Sequence, residues 1–161
     1  MSEMEKKIKE RLERRFLILP LHQIDTDIIL EPENTENGRY CKRYLNKVGY
    51  RYRGFLSFPV LSELFLKILK LETFDEKWDT LHLVDSLIKE KKILFYSQKD
   101  IREIETKIIE IDKRIQPLDR EITACATEQR ATLVTIDSDL YENYKLQEKL
   151  DIQIKHPKEL I

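Results

Sequence analysis

Residues 117–140, PLDREITACATEQRATLVTIDSDL, join a helix to a buried strand and carry acids at both ends of that pair. Within the helix, Asp119, Ile122, Cys125, Ala126 and Gln129 fall at helical spacing, so Asp119 rides the edge of the apolar face one turn before the core residues. The strand, Ala131 to Ile136, is a nearly unbroken run of apolar and β-branched residues. That is the composition of a parallel strand covered on both faces. It stops at Asp137, and Asp139 follows two residues on. Ligands of open α/β sheets bind outside the carboxyl ends of the strands, so this stretch points to such a sheet with acids on its working rim. Asp and Ser also favour turns and helix caps, and TxDxD taken alone is compatible with a plain strand-to-turn transition.

The other segments repeat the alternation. Phe16 to Leu21 followed by HQIDTDIILEP reads as a first strand ending near Asp25, then a turn into a helix that Thr26 or Asp27 caps. Phe55 to Phe58 reads as a strand and Pro59 to Leu71 as a helix, with Leu61, Leu64, Phe65, Ile68 and Leu69 as its core stripe and Glu63 in its first turn. Phe74 to Lys92 is amphipathic, and Ile93 to Tyr96 is a short strand. Ile101, Ile104, Ile108, Ile111 and Ile115 mark a long helix that ends by Gln116, because Pro117 follows. The closing IQIKHPKELI reads as a last strand and a turn at Pro157. Strands alternating with helices predict a three-layer α/β/α sandwich with a mostly parallel sheet.

Length and composition limit the alternatives. A chain of 161 residues suits one domain with a real core. No apolar run approaches the roughly 20 residues of a membrane span, and the charged amino terminus is not a signal peptide. The expectation is therefore a protein with no membrane contact. Cys41 and Cys125 are the two cysteines, and Cys125 falls on a buried helix face, which favours a packed thiol and a reducing, cytoplasmic setting. Residues 1–15 alternate charge at helical spacing, with Ile8 and Leu12 as an apolar pair. They read as an N-terminal helical extension, either a solvated arm or a dimer contact, ahead of a domain spanning 16–161.

Net charge is −1, so any nucleic-acid affinity has to come from a local patch. Residues 39–53, RYCKRYLNKVGYRYR, hold Arg39, Lys42, Arg43, Lys47, Arg51 and Arg53 with four tyrosines and no acid. Cations meet phosphates and aromatic faces stack on bases, so the mixture suits single-stranded nucleic acid. It equally suits an amphipathic helix whose tyrosines pack inward and whose cations are merely solvated.

Asp25, Glu63, Asp119 and Asp137, with Asp139, all fall at strand ends or just beyond them. Two carboxylates about 4 Å apart repel by about 4 kcal/mol at an effective dielectric near 20. Acids that converge must then protonate in part or bind a cation. Oxygen-only ligands select Mg²⁺ or Mn²⁺, while His22, His82 and His156 lack the spacing of a zinc site. A carboxylate-held Mg²⁺ suits phosphoryl chemistry, in which the ion orients a water and stabilises charge on the leaving oxygen.

These motifs resemble the PIN domain, the metal-dependent nuclease domain of VapC-type toxins and of some RNA-processing endonucleases. The resemblance is carried by IDTDIIL around Asp25, LSFPVLSEL around Glu63, PLDREITACATEQRATLVTIDSDL around Asp119 and Asp137, and the closing IKHPKELI. It implies a parallel sheet flanked by helices and catalytic, metal-binding acids at Asp25, Glu63, Asp119 and Asp137. Thr135 or Asp139 would support the metal or its water. It further implies Mg²⁺ or Mn²⁺, RNA as substrate, a homodimer and, for a toxin, an inhibitory antitoxin partner. The chain departs from the family in LHQI, which is less apolar than the usual first strand, and in its extra N-terminal helix. A housekeeping RNA-maturation nuclease and an inactive PIN-like domain that binds RNA or protein are the competing readings. A phosphoacceptor receiver domain also clusters acids at strand ends, but no lysine is placed at a strand end to meet a phosphoryl group.

Overall fold

A computed structural model describes all of residues 1–161. Five short strands, β1 (Leu21–Ile24), β2 (Arg53–Leu56), β3 (Leu94–Phe95), β4 (Thr132–Val134) and β5 (Ile154–Lys155), form one sheet in the order β3-β2-β1-β4-β5. All four pairings are parallel. Parallel neighbours need crossover connections, and helices supply them. Two helices, α2 (Thr26–Leu30) and α3 (Glu36–Leu45), link β1 to β2. Helices α4 (Phe58–Leu69) and α5 (Phe74–Glu90) lead to β3, α6 (Arg102–Ile111) and α7 (Pro117–Glu128) to β4, and α8 (Ser138–Tyr141) and α9 (Tyr144–Leu150) to β5. A single 3-10 turn, Pro157–Glu159, follows β5. The sheet order therefore reverses between β1 and β4.

The central strand β1 shows how the three layers are tied. Its neighbours cover it on both edges and helices cover both faces, so His22 and Gln23 are buried with Ile24. Successive side chains point to opposite faces. His22 meets the hydroxyl of Tyr44 on α3 at 2.8 Å and stacks on Tyr52. Gln23 donates from Nε2 to the carbonyl of Ile122 on α7 at 2.8 Å. The polar residues that set LHQI apart from an apolar strand thus bind one helical layer each. Burial pushes the His22 imidazole down to about 4, which keeps it neutral at physiological pH. Cys41 and Cys125 are both free, buried thiols.

Several boundaries differ from the sequence reading. The segment after β1 divides into two helices at residues 31–35, where Thr35 caps α3 through the amide of Gly38. Helix α6 ends at Ile111 rather than running to Gln116. Ile115 is buried outside the helix, which explains why its spacing looked helical. Glu63 is the sixth residue of α4 and so lies in its second turn.

Helix α1 (Glu3–Leu17) precedes β1 and starts with a capping box between Ser2 and Glu5. None of its residues is buried, and Met4, Ile8 and Leu12 are exposed. Its last turn touches the domain through Phe16, which lies under the ammonium of Lys92. Deleting residues 1–15 is expected to change the free energy of unfolding by less than about 1 kcal/mol, because little apolar area is returned to water. Urea titration of the shortened chain checks this, and a larger loss would show that α1 is part of the core structure.

Candidate functional site at the β1–β4 switch point

In an open parallel sheet the loops leaving two strands on either side of a reversal diverge and leave a crevice at the carboxyl end. Asp25 leaves β1 at that point and Asp137 leaves β4. The Asp25 side chain caps α2, accepting from the amide of Thr26 at 2.8 Å through Oδ1. Its Oδ2 accepts from the hydroxyl of Thr135 at 2.7 Å. The same hydroxyl accepts from the amide of Asp137 at 3.1 Å. Thr135 is fully buried and so couples the two strand ends directly. Asp137 in turn caps α8, accepting from the amide of Asp139 at 2.9 Å. Asp137 caps α8 as a strand-ending acid can, but the cap of α2 is Asp25 and not Thr26 or Asp27; both caps also fix the orientation of their acids.

Helix α7 runs back toward the start of β4, so its first turn lies at the carboxyl end of the sheet and carries Asp119 there. Pro117 at its first helical position supplies a preset φ and loses no hydrogen bond. Helix α4 brings Glu63 to the same region. The electrostatics show that these acids share one field. Burial pushes the Asp119 carboxyl up to about 6, and the charges of Asp137, Asp25, Glu63 and Asp27 push in the same direction. Asp25 is also raised to about 6, first by burial, with Glu63 and Asp27 adding to it against the lowering hydrogen bonds from Thr135 and Thr26.

Asp27 belongs to this group, although the sequence reading gave it only a capping part. The signal was its position two residues after Asp25, at the start of a helix leaving the same strand. Lys67 was missed altogether. Its ammonium lies 2.6 Å from Asp27 Oδ1 and 3.0 Å from Glu63 Oε1. An i,i+4 glutamate–lysine pair is so common on exposed helices that spacing alone does not mark it. Asp139 takes a different place. It is exposed, it acts on the charge of Arg114, and it lines a cavity of about 250 Å³ with Asp112, Arg114 and Ile115.

The basic stretch is not gathered beside the acids. Arg53 opens β2 opposite Leu21, the first residue of β1, and so sits at the amino end of the sheet. Its Nε donates to the carbonyl of Leu19 at 3.0 Å. Lys47 and Arg51 lie in the loop that enters β2 at the same end. Lys42 pairs with Glu33. Arg39 is nearer the acid end, because α3 begins beside the turn after β5, where Asn37 meets His156. Two of the four tyrosines pack inward: Tyr44 is wholly buried and Tyr52 stacks on His22. Tyr50 is the one that is largely exposed. The stretch is thus mainly structural in its aromatic residues and divided between the two ends of the sheet in its cations.

As the side chains stand, no three acid, histidine or cysteine residues are arranged to hold a metal ion. The donor set nevertheless fits a hard cation. It is all oxygen, and the carboxyls of Asp25 and Asp119, raised first by burial, are raised further by neighbouring negative charge that such an ion would offset.

An open parallel sheet with acids gathered where its strand order reverses is an α/β domain of the kind whose ligands bind at the switch point. The sequence matches the model of the PIN domain over residues 23–146, and the chain belongs to the PIN domain family. No curated protein sequence matches it. Among solved structures, FitAcB from Neisseria gonorrhoeae superposes with a TM-score of 0.64 at 22% identity, covering 86% of this chain and 99% of that one. VapBC2 from Rickettsia felis, bound to a DNA fragment from its promoter, gives 0.63 at 18% identity, covering 84% of this chain and 98% of that one. DNA-bound VapBC from Salmonella typhimurium gives 0.60 at 18% identity, covering 87% of this chain and 99% of that one. At these identities the likeness is one of fold. No helix is long and apolar enough to cross a membrane.

Proposed function

We propose that this chain is a metal-dependent endoribonuclease, the toxin of a toxin–antitoxin pair, acting through the acids at the β1–β4 switch point. The observation that carries the reading is the shared field of Asp25, Asp27, Glu63, Asp119 and Asp137 in a chain of the PIN family. Asp25, Glu63, Asp119 and Asp137 would hold Mg²⁺ or Mn²⁺, with Asp27 beside them. The bound ion supplies a water activated at neutral pH and a positive charge for the phosphate oxygens. The chain's own contribution is orientation. Thr26 and Thr135 fix both oxygens of Asp25, and the Asp139 amide fixes one oxygen of Asp137. The histidines are unsuited to act as the base: His22 is buried and neutral, His82 packs its ring against Trp78, and buried His156 has both ring nitrogens engaged, by Asn37 and by the amide of Lys158.

On this reading the chain has an antitoxin partner, forms a homodimer and works in the cytoplasm, with residues 1–15 as an extension to the nuclease domain. RNA-maturation nucleases are the second reading on the same site. A non-cleaving PIN-like binding domain is favoured by one observation, the Lys67 ammonium that already neutralises part of the acid group.

The experiment is a cleavage assay on labelled RNA in EDTA, then Mg²⁺, then Mn²⁺. Cleavage is expected in either metal and not in EDTA. Cleavage that persists in EDTA would end the metal-dependent reading. RNA affinity tests the basic residues separately. Arg39→Ala is expected to weaken binding and to lower the salt slope by about one, as loss of one phosphate contact does. Arg51→Ala, at the far end of the sheet, is expected to leave affinity within about twofold, less than the loss of one phosphate contact. A filter-binding series across salt distinguishes them, and equal losses in both variants would place the RNA track along the whole stretch.

A further inference from the structure

Lys67 stands one helical turn beyond Glu63 on α4, and α4 packs against α2, where Asp27 sits in the first turn. A solvent-exposed Glu–Lys pair at this spacing contributes only a few tenths of a kcal/mol. This one differs in two respects. The glutamate is largely sheltered, its side chain 18% exposed, and the ammonium also closes on an acid from a second helix. Those two acids are among the charges that raise Asp25 and Asp119. The ammonium lies 2.6 Å from Asp27 Oδ1 and 3.0 Å from Glu63 Oε1, bridging the two helices. It is therefore a fixed positive charge inside the acid group.

We propose that Lys67 is a positioning residue that serves as the internal counter-ion of the acid site, and that a divalent cation must compete with it for Glu63. The inference rests on the metal-dependent reading above. The ammonium holds Glu63 Oε1 and Asp27 Oδ1 together in the metal-free protein and keeps the cluster from flying apart. When Glu63 turns to an incoming cation, that oxygen has to leave the ammonium, and the two like charges then lie close enough that salt screens them little. The residue thus sets the threshold of cation concentration at which the site fills.

The test is Mn²⁺ binding followed by the electron paramagnetic resonance signal of free Mn²⁺, with the whole chain as wild type, Lys67→Met, Lys67→Gln and Lys67→Arg, and Asp119→Asn as a site control. Lys67→Met and Lys67→Gln are expected to bind Mn²⁺ about tenfold more tightly than wild type, and to melt at lower temperature without metal. Lys67→Arg keeps the charge and is expected to bind no more tightly than wild type. Unchanged or weaker binding in both neutral variants would overturn the proposal, since Lys67 would then be irrelevant to the ion or needed to arrange its ligands. The use of two neutral variants guards against one that fails to fold. Failure of the underlying reading looks different: wild type binds no Mn²⁺, or binds it equally well after Asp119→Asn. Either result overturns the metal site and the competition together.

Discussion

Asp137→Asn is expected to lower the rate of metal-dependent RNA cleavage about a thousandfold or more while leaving the fold intact. The magnitude follows from the several kcal/mol of charge stabilisation that a bound divalent ion contributes, at 1.36 kcal/mol for each factor of ten. The asparagine retains an oxygen for the amide of Asp139, so the cap on α8 survives. It removes the charge that acts on Asp119. Single-turnover cleavage of labelled RNA, with circular dichroism beside it, provides the measurement. A folded variant that cleaves within tenfold of wild type would remove Asp137 from the active site. The same substitution at Asp119 is expected to give a comparable loss, whereas Asp139→Asn, which lies toward Arg114, is expected to cost less than tenfold.

The second large effect concerns stability in EDTA and is read as a difference between variants. The Asp25 carboxyl has a pKa of about 6 in the folded chain, against 3.8 as a free group. Between those values the native state holds a proton that the unfolded chain has released. Its contribution is thus fully present below pH 3.8 and is lost as pH rises through 6, about 3 kcal/mol in all. His22 runs the other way. Its pKa falls from 6.5 to about 4, so its contribution is present above pH 6.5 and is lost as pH falls toward 4. Asp119, also raised to about 6, has the same sign as Asp25, so His22 offsets only part of the two carboxyl contributions and metal-free wild type is expected to lose stability as pH rises between about 4.5 and 7.5. Asp25→Asn removes one of the two carboxyl contributions. Relative to wild type, the variant is expected to gain about 2 kcal/mol over the same interval, whatever constant offset its altered hydrogen bonds introduce. Urea unfolding at both pH values measures this. A pH-independent difference between the two proteins would show that Asp25 is ionised across the range and that its burial costs little.

The parts of the fold that could be read in advance are those where local chemistry and tertiary place coincide. Asp25 and Asp137 end short buried runs, and a residue that ends a parallel strand has nowhere to go but the carboxyl rim. Pro117 marks the start of α7 unambiguously because proline fits a first helical turn and not its interior. Other features depend on contacts between segments distant in sequence. Residues 39–53 looked like one basic surface, but spacing along the chain does not say at which end of a sheet a loop emerges. The tyrosines Tyr44 and Tyr52 were committed to His22, a partner more than twenty residues away. Glu63 to Lys67 is an ordinary pair in sequence, and only the arrival of Asp27 from α2 makes it part of the site. Ile115 kept the helical period of α6 after the helix had ended, since a buried loop residue and a buried helix residue are equally apolar.

The hydroxyl of Thr135 has a consequence for when the protein becomes competent. Asp25 is synthesised early and its partner comes 110 residues later. Until β4 has inserted beside β1, Asp25 has no second anchor, and Asp119 and Asp137 are not at the crevice. Such a distant pairing forms late, because the intervening chain must first be organised. If the proposed activity holds, a nascent chain still emerging from the ribosome would be unable to cut until the sheet closes. For a protein proposed to attack RNA, that order of events protects the machinery that is making it.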